Sequence, residues 1–360
     1  MNSRIDQVVH RIIKSQLDAI LITDYHTIDY LVGYCNRPGE RFFGLVVTKT
    51  GELTLVLNNL FFLDEKLDCS LIWYSDTDSI AQAISPALKG IERLGVDKKL
   101  EARFLLELQA VFDHIYFTLG SACVDEVRMV KDESEITKMQ QASLINDQAM
   151  ELIKDEIAKG IFSEIELRDK LKHIYLQLGA DDFSFEPIIA FGKNGANPHH
   201  ELDGTRLLPG NSVIVDIGCT YQGYCSDMTR TFFYQKVSPE HEKLYSIVKK
   251  ANEKAIAMIK PGVALKDIDA TARDYIASEG YGTYFNHRLG HFIGREVHEY
   301  GDVSSNFDMP VRPGMIFSIE PGVYLKGEVG IRIEDLVLVS EQGAVSLNEF
   351  NKDLIILKEK

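Results

Sequence analysis

The chain lacks the features that mark several common classes of protein. Its 360 residues include only five cysteines with no Cys-x-x-Cys spacing, which argues against a disulfide framework and a structural zinc site built on thiolates. We therefore expect ordinary buried thiols and a reducing compartment. No apolar run approaches the roughly 20 residues needed to cross a bilayer, and the polar N-terminal residues do not resemble a signal peptide. These absences predict a soluble, cytoplasmic protein. The cysteines are Cys35, Cys69, Cys123, Cys219 and Cys225.

Basic residues and phosphate-binding loops are also scarce. The chain has 39 basic and 54 acidic residues, a net charge of −15, which argues against nucleic acid or an anionic membrane as a partner. The glycine-containing stretch at residues 192–195 lacks the spacing of a phosphate-binding loop. Hydrophobic residues make up 45% of the chain, enough for one large or two medium-sized domains with buried cores.

Two regions of different pattern divide the chain. Residues 1–125 alternate helical and strand-like segments, with a predicted hairpin across Thr50-Gly51-Glu52, and this predicts an N-terminal α/β domain. Residues 126–360 combine long amphipathic helices with strand hairpins, which predicts an α+β domain whose helices cover one face of the hairpins. Two helices followed by a hairpin occur twice, at about 133–234 and 240–339, and this suggests an internal duplication.

Five residues of the second region carry the clearest functional signal. Four acidic residues interrupt otherwise apolar, strand-like runs, and a histidine lies between two glycines in Leu-Gly-His-Phe-Ile-Gly. Acidic side chains are almost never fully buried unless they are paired or bound to metal. Any one of these acids alone could be a helix cap, a turn residue or half of an ion pair, so the prediction of a metal site depends on the whole set. The set is Asp216, Asp227, His291, Glu320 and Glu334.

The spacing of the acids predicts two facing pairs. Asp216 and Asp227 are equidistant from the centre of Tyr221-Gln222, so a hairpin folded there would make them direct cross-strand partners. Glu320 and Glu334 are symmetric about Gly327 and would be paired in the same way. Two hairpins that each present two carboxylates on one face would form a small anionic cage.

The charge of that cage predicts what fills it. Four carboxylates around one divalent ion would leave a charge of about −2 in a dry site, whereas two divalent ions balance the four. In two-metal hydrolytic sites a water or hydroxide bridges the two ions and attacks the substrate. Oxygen ligands with one histidine and no thiolate favour manganese, cobalt, iron or zinc in a catalytic site.

The motifs around these residues resemble a known family. Val-Asp-Ile-Gly, Ser-Asp-Met-Thr-Arg-Thr, Gly-His-Phe-Ile-Gly, Ile-Glu-Pro-Gly and Arg-Ile-Glu-Asp are similar to the five metal-ligand motifs of the pita-bread metallopeptidases, which include methionine aminopeptidases, Xaa-Pro aminopeptidases, prolidases and creatinase relatives. Residues 197–200, 285–288 and 296–299 and the N-terminal domain resemble the Xaa-Pro branch, most of all Xaa-Pro dipeptidases (prolidases). Phe292 departs from the glycine that many relatives carry, and we expect it to reshape the pocket without removing a ligand.

The resemblance implies a role for each residue of the site. Two divalent ions, with manganese first, would be held by Asp216, Asp227, His291, Glu320 and Glu334. Glu320 would also carry the proton from water to the leaving nitrogen, which matters because the nitrogen of an X-Pro bond has no hydrogen of its own. The expected substrate-binding residues are His199, His287, His298, Arg295 and Arg332. His199 and His298 would stabilise the developing oxyanion or bind the proline side. Arg332 would either order the carboxylates or meet the substrate's C-terminus.

The size of the substrate is less well determined by the sequence. A dipeptidase must capture a free carboxylate just beyond proline, for which Arg295 and Arg37 in the loop Gly33–Arg41 are candidates. The resemblance implies a homodimer in which this loop covers the partner's site; an ordinary surface loop is the alternative. An Xaa-Pro aminopeptidase acting on longer peptides is the rival function. Retention of all five ligands argues against a metal-free creatinase-type hydrolase and against a catalytically silent binding protein.

Overall fold

The computed structural model describes residues 3–64 and 66–358. The chain divides into two compact units between Arg128 and Met129. The sequence pattern had put the boundary three residues earlier, between 125 and 126. Each unit has its own hydrophobic core.

The first unit is an α/β domain around one mixed sheet. Its elements are α1 Ser3–Lys14, β1 Ala19–Ile22, α2 Tyr25–Val32, β2 Gly44–Thr48, β3 Leu53–Asn58, β4 Ser70–Tyr74, α3 Ile80–Ile84, a 3₁₀ helix Ser85–Leu88, β5 Arg93–Val96, α4 Ala102–Val111, β6 Tyr116–Leu119 and α5 Ala122–Arg128. The strand order is β4-β3-β2-β1-β5-β6. The hairpin predicted across Gly51 is present, with Val47 paired to Leu53. Apolar clusters lie on both faces of the sheet, as the layered prediction required.

The second unit contains the long helices and the predicted hairpins. Its elements are α6 Glu133–Ala158, α7 Glu164–Leu178, β7 Asp182–Phe183, β8 Ile188–Phe191, a 3₁₀ helix Gly192–Ala196, β9 Ser212–Ile217, β10 Cys219–Tyr221, β11 Tyr224–Cys225, β12 Met228–Tyr234, α8 Pro239–Met258, α9 Leu265–Ser278, a 3₁₀ helix Gly282–Tyr284, β13 Gly290–His291, β14 Asp302–Val303, β15 Ile316–Ile319, β16 Gly322–Leu325, β17 Val329–Arg332, β18 Asp335–Ser340, β19 Gly343–Ser346 and β20 Ile356–Leu357.

Side-chain caps define where three of these helices begin. Asp132 caps α6 and Ser163 caps α7, each in a reciprocal capping box with the glutamate three residues later. Ser238 accepts a hydrogen bond from the His241 amide, and Pro239 is the first residue of α8, positions at which serine and proline are favoured. The apolar faces of α8 and α9 pack together with β15–β18 in one core, while α6 and α7 pack with β8, β9 and β12 in another.

The cysteines agree only in part with the sequence prediction. All five cysteines are free, but Cys35 is exposed, so the expectation of buried thiols is wrong for that residue. None of the helices in the described residues combines the length and apolar character that a membrane span requires.

Candidate metal centre

The second unit brings the five predicted ligands to one place. Asp216 lies within β9, and Asp227 immediately precedes β12. His291 ends β13, Glu320 follows β15, and Glu334 lies in the short gap between β17 and β18. The ligand atoms of Asp227, His291 and Glu334 lie within 4.8 Å of one another. Nε2 of His291 is 3.5 Å from Oε1 of Glu320 and 3.6 Å from Oδ2 of Asp227.

The predicted direct pairing of the two aspartates is wrong by two residues. In the ladder between β9 and β12, Asp216 pairs with Thr229, and the same register places Asp227 opposite Gly218. The hairpin turns at Gln222-Gly223, whose φ angles are both positive (49° and 76°), as in a two-residue type I′ loop. A shift of two residues keeps a side chain on the same face. The aspartates are therefore diagonal neighbours on one face.

The predicted register of the two glutamates agrees with the structure. Val323 pairs with Ile331 on one side of the glutamates, and Ile319 pairs with Asp335 on the other. Both ladders share one register, in which Glu320 faces Glu334. Neither glutamate belongs to a ladder pair, and the two occupy opposite positions between the two ladders.

Several oxygens of the centre are buried without a hydrogen-bond partner. They are Oδ1 of Asp216, Oδ1 of Asp227 and Oε1 of Glu334, each without a partner among the described residues. A buried carboxylate oxygen left unsatisfied is costly, whereas a divalent cation would satisfy all three at once. This donor set therefore fits divalent metal.

The histidine is oriented as a metal ligand. Nδ1 of His291 lies 3.2 Å from the carbonyl oxygen of Phe292, which can only accept, so Nδ1 carries the proton and Nε2 presents its lone pair to the acids. The Phe292 side chain points the other way and is fully buried against Phe317, with ring centroids 5.3 Å apart. The expectation that Phe292 reshapes the pocket is therefore wrong, since neighbouring strand residues face opposite sides.

Crowding of like charges perturbs the acids. Burial, followed by the nearby Glu334 and Asp216 carboxylates, raises the pKa of Asp227 well above its usual value. Burial, followed by Glu320 and Asp216, does the same to the pKa of Glu334. Burial and the Asp216 charge raise the pKa of Glu320 to about 7. Perturbation of this kind is typical of a functional site and is what a bound cation would relieve.

A buried arginine offsets part of this negative charge. Arg332 is 3% exposed and donates from Nη2 to Oδ2 of Asp216 at 2.6 Å. It also donates to the Tyr324 hydroxyl at 2.8 Å and to Oγ1 of Thr229 at 3.1 Å, and Thr229 in turn donates to Oε2 of Glu334 at 2.7 Å. These contacts favour the first of the two predicted roles of Arg332, the ordering of the carboxylates.

Arg332 changes the charge argument made from sequence. With its positive charge included, one divalent ion leaves about −1 and two leave about +1, so the charge balance alone no longer selects two ions. An anionic oxygen in the site would balance the charge of about +1 that two ions leave. The charge balance and the three unpartnered oxygens are therefore compatible with one ion or with two.

Two residues of the centre were missed by sequence reasoning. Thr229 faces Asp216 across the ladder, and Tyr324 lies on the same strand face as Glu320. The signal was present in the period-two alternation of strand residues, because positions 320, 322 and 324 share a face. Threonine and tyrosine are common in strands, so alternation alone did not mark these two as functional.

His287 is held by this network. Its Nδ1 lies 2.7 Å from the carbonyl oxygen of Arg288, so Nδ1 carries the proton, and Nε2 accepts from the Tyr324 hydroxyl at 3.2 Å. Burial, followed by the positive charge of Arg332, lowers the pKa of His287 to about 4. His287 is therefore a neutral ring whose two nitrogens both have protein partners.

The remaining predicted residues lie at different distances from the centre. The His298 ring packs edge-on against the His291 ring, with centroids 4.3 Å apart. His199 is exposed and interacts electrostatically with both His287 and His298. The guanidinium of Arg295 lies 5.3 Å from the ring centre of Tyr224 beside the hairpin turn.

The loop Gly33–Arg41 belongs to the first unit. Gly33 ends α2 in the left-handed conformation (φ 74°), and Arg41 forms two hydrogen bonds with the Asp76 carboxylate. Arg37 is exposed. The loop is thus anchored at both ends, with the exposed Arg37 side chain between them.

Comparison with known proteins assigns the chain to a family. The sequence pattern of metallopeptidase family M24 matches residues 137–341, and that of the creatinase/prolidase N-terminal domain matches residues 4–130. The chain is a member of metallopeptidase family M24. All five candidate ligands of this metallopeptidase lie within the matched residues. The prediction of an enzyme is confirmed. So is the prediction of a smaller N-terminal α/β domain followed in the sequence by a pita-bread catalytic domain.

Similarity extends over both units of this M24 metallopeptidase. An uncharacterized peptidase of Staphylococcus aureus (strain USA300) is 34% identical over 357 residues, covering 97% of this chain and 100% of that protein. The crystal structure of dipeptidase PepE from Mycobacterium ulcerans has a TM-score of 0.93 at 32% identity and covers 99% of this chain and 97% of that chain. The crystal structure of a prolidase from Pyrococcus horikoshii OT3 has a TM-score of 0.90 at 32% identity. It covers 98% of this chain and 100% of the prolidase chain.

Proposed function

We propose that this M24 metallopeptidase hydrolyses Xaa-Pro dipeptides with two divalent ions held by its five-residue centre. The observation that carries the proposal is the set of buried, unpartnered carboxylate oxygens converging on Nε2 of His291. Substrate class follows from the similar structures, which include a prolidase and a dipeptidase that match nearly the whole chain. The ligands are Asp216, Asp227, His291, Glu320 and Glu334.

The ions supply the electrophilic part of the chemistry. When bound, they would polarise the peptide carbonyl and provide a water of lowered pKa as the nucleophile. Arg332 holds Asp216 in place, and Thr229 holds Glu334, so two of the ligands are oriented before any ion enters. Such preorganisation lowers the cost of assembling the site.

Glu320 is suited to move the proton. Its side chain is 16% exposed, whereas those of Asp227 and His291 are 5% and 4% exposed. It is therefore the most accessible of these three ligands to a substrate. A carboxylate there can take a proton from water and deliver it to the proline nitrogen, which cannot leave easily without one. Ser318 donates to Oε1 of Glu320 at 3.3 Å and fixes its position.

Histidines at the edge of the centre would stabilise the reacting carbonyl. His298 contacts the His291 ring, and His199 interacts electrostatically with His298. Both are accessible, so both can donate to an oxyanion as it forms. His287, with both nitrogens engaged, acts in this proposal through Tyr324 and Arg332 rather than by direct donation.

The metal part of the proposal is tested by direct analysis. The protein is stripped with a chelator, reconstituted with manganese, cobalt, zinc or iron(II), and its bound metal is counted by mass spectrometry. We expect two equivalents per chain. Asp227→Asn should lower the count, whereas Glu328→Gln, a change of an exposed acid at the turn between β16 and β17, should not. A wild-type protein that retains no metal at micromolar free concentrations would contradict the proposal.

The substrate part is tested with a peptide panel. Xaa-Pro dipeptides, Xaa-Pro tripeptides and Xaa-Ala dipeptides are compared on the manganese- and cobalt-loaded protein. We expect the dipeptide with proline to have the largest kcat/KM. A preference for the tripeptide would instead identify an Xaa-Pro aminopeptidase. The homodimer implied by the resemblance, and the cytoplasmic location expected from the sequence analysis, stay predictions.

A further inference from the structure

A second buried acid lies outside the metal centre. Glu164 is the first residue of α7, directly after its Ser163 cap, and it is fully buried at 0% exposure. A carboxylate at the start of a helix can be satisfied by the helix's own amides, but Glu164 is not used in that way. Its two oxygens point instead to a segment that follows β8.

Four donors converge on Glu164, one from the last residue of β8 and three from this segment. Oε1 accepts from the Phe191 amide at 2.8 Å and from Nδ2 of Asn194 at 3.0 Å. Oε2 accepts from Nε2 of His200 at 2.7 Å and from the Asp203 amide at 3.2 Å. One carboxylate therefore ties the beginning of the 192–203 segment to its end.

The segment so tied carries His199. This histidine is exposed, and its amide donates to Oδ1 of Asn197 at 3.2 Å. His200, its neighbour in sequence, is the residue clamped by Glu164. Because adjacent residues share a peptide unit, a displacement of His200 is transmitted to His199.

The other side of the segment packs on a strand of the metal centre. A Cβ on Gly330 of β17 would lie 1.7 Å from the carbonyl oxygen of Gly195, so the backbones are in direct contact there. Strand β17 ends at Arg332, which orders the carboxylates. The segment is thus fixed on one side by β17 and on the other by Glu164.

We propose that Glu164 is a positioning residue that sets the place of His199 at the metal centre. The inference rests on the proposed function, because it takes His199 to act on the substrate carbonyl. Glu164 makes no contact with substrate in this proposal. It acts by holding the ends of a twelve-residue segment at a fixed separation, which lowers the entropy that His199 would otherwise lose on binding the transition state.

The test is a double-mutant cycle in the metal-loaded full chain. Glu164→Gln keeps the volume but replaces one acceptor oxygen by an amide group that cannot accept from its two donors. We expect kcat on an Xaa-Pro dipeptide to fall about 10- to 100-fold with little change in KM, since small misplacements of a catalytic group cost factors of this size. In a His199→Ala background the same change should cost less than about twofold. Equal losses in both backgrounds would overturn the proposal.

A second readout does not depend on activity. Amide hydrogen exchange in residues 192–203 should quicken at least about tenfold in Glu164→Gln and stay unchanged elsewhere in the catalytic unit. Glu166→Gln, an exposed acid in the same helical turn, is the matched control and should alter neither kcat nor exchange in the segment. Unchanged exchange in Glu164→Gln overturns the proposal even if activity falls.

The experiment also distinguishes failure of the proposed function from failure of the Glu164→Gln variant to fold. If the wild-type chain cleaves no Xaa-Pro dipeptide, the proposed function fails, and the exchange result alone decides whether Glu164 holds the segment. If Glu164→Gln does not fold, His200→Leu enters the same cycle, because it removes one of the four donors at a partly exposed position. It should then show a smaller loss of kcat that again disappears with His199→Ala, and an additive loss overturns the proposal.

Discussion

Removing one of the proposed metal ligands should stabilise the metal-free protein at alkaline pH. The perturbation is Glu320→Gln. Burial and the Asp216 carboxylate raise the pKa of Glu320 from its ordinary value of 4.5 to about 7. Between these two values the folded chain holds a proton on Glu320 that the unfolded chain has lost. Stability from this group is therefore present below pH 4.5 and is lost as the pH rises through 7.

The magnitude follows from the size of the pKa difference. About 2.5 pKa units correspond to about 3 kcal/mol. Glutamine cannot ionise, so the metal-free variant should match the wild type near pH 4.5 and exceed it by about 3 kcal/mol at pH 8. For a catalytic unit of this size that is a rise in Tm of about 6–12 °C.

The assay is urea unfolding of chelator-treated wild type and variant at pH 5, 6, 7 and 8, repeated with manganese. With metal the order should reverse, because the wild type binds the ions more tightly and gains the linked stability. The control is Glu341→Gln, a change of an exposed acid outside the centre, with which the pH dependence of Glu320→Gln is compared. A metal-free Glu320→Gln protein that is no more stable than the wild type at pH 8 would refute the reasoning.

Three further predictions concern four other substitutions. Arg332→Met leaves a buried ligand carboxylate without its counter-ion and should destabilise the metal-free protein by about 3–5 kcal/mol in urea unfolding; an unchanged midpoint would contradict the charge-ordering role. The Lys49 ammonium, followed by two backbone amides, lowers the pKa of Asp18 to about 2, so the stabilisation is present above pH 4 and is lost as the pH falls towards 2. Asp18→Asn should therefore cost about 1 kcal/mol or less at pH 7 after screening by solvent, and nothing at pH 2. Arg37→Ala and Arg295→Ala should each raise KM for an Xaa-Pro dipeptide about tenfold with little change in kcat. Unchanged kinetics in both variants would contradict the hypothesis that these arginines capture the substrate carboxylate and that the loop Gly33–Arg41 covers the site.

The turn of the first hairpin shows how local chemistry limits sequence reasoning. The axis was placed at Tyr221-Gln222, whereas the structure turns at Gln222-Gly223. A type I′ loop needs positive φ at both central residues, and glycine adopts this more easily than any other residue. Centring the turn on Gly223 and the residue before it would have predicted the observed register from sequence alone.

The internal partners of the acids were beyond sequence reasoning for a different reason. Arg332 is separated from Asp216 by 116 residues, and Thr229 is separated from Glu334 by 105. Alternation placed each on a strand face, but no local rule states which strand of one hairpin meets which strand of the other. That choice is made by the packing of α6–α9 around the strands.

The sequence by itself determined the residues of the centre, the strand faces they occupy, the helix starts and the two-part architecture. These depend on alternation, capping and turn symmetry, which act over a few residues. Only the tertiary structure decided that Arg332 shares the charge of the centre, that Phe292 turns into the core, and that Glu164 reaches across to the segment of His199. Each of these depends on contacts between residues far apart in the chain, and their energies exist only when the core has closed around them.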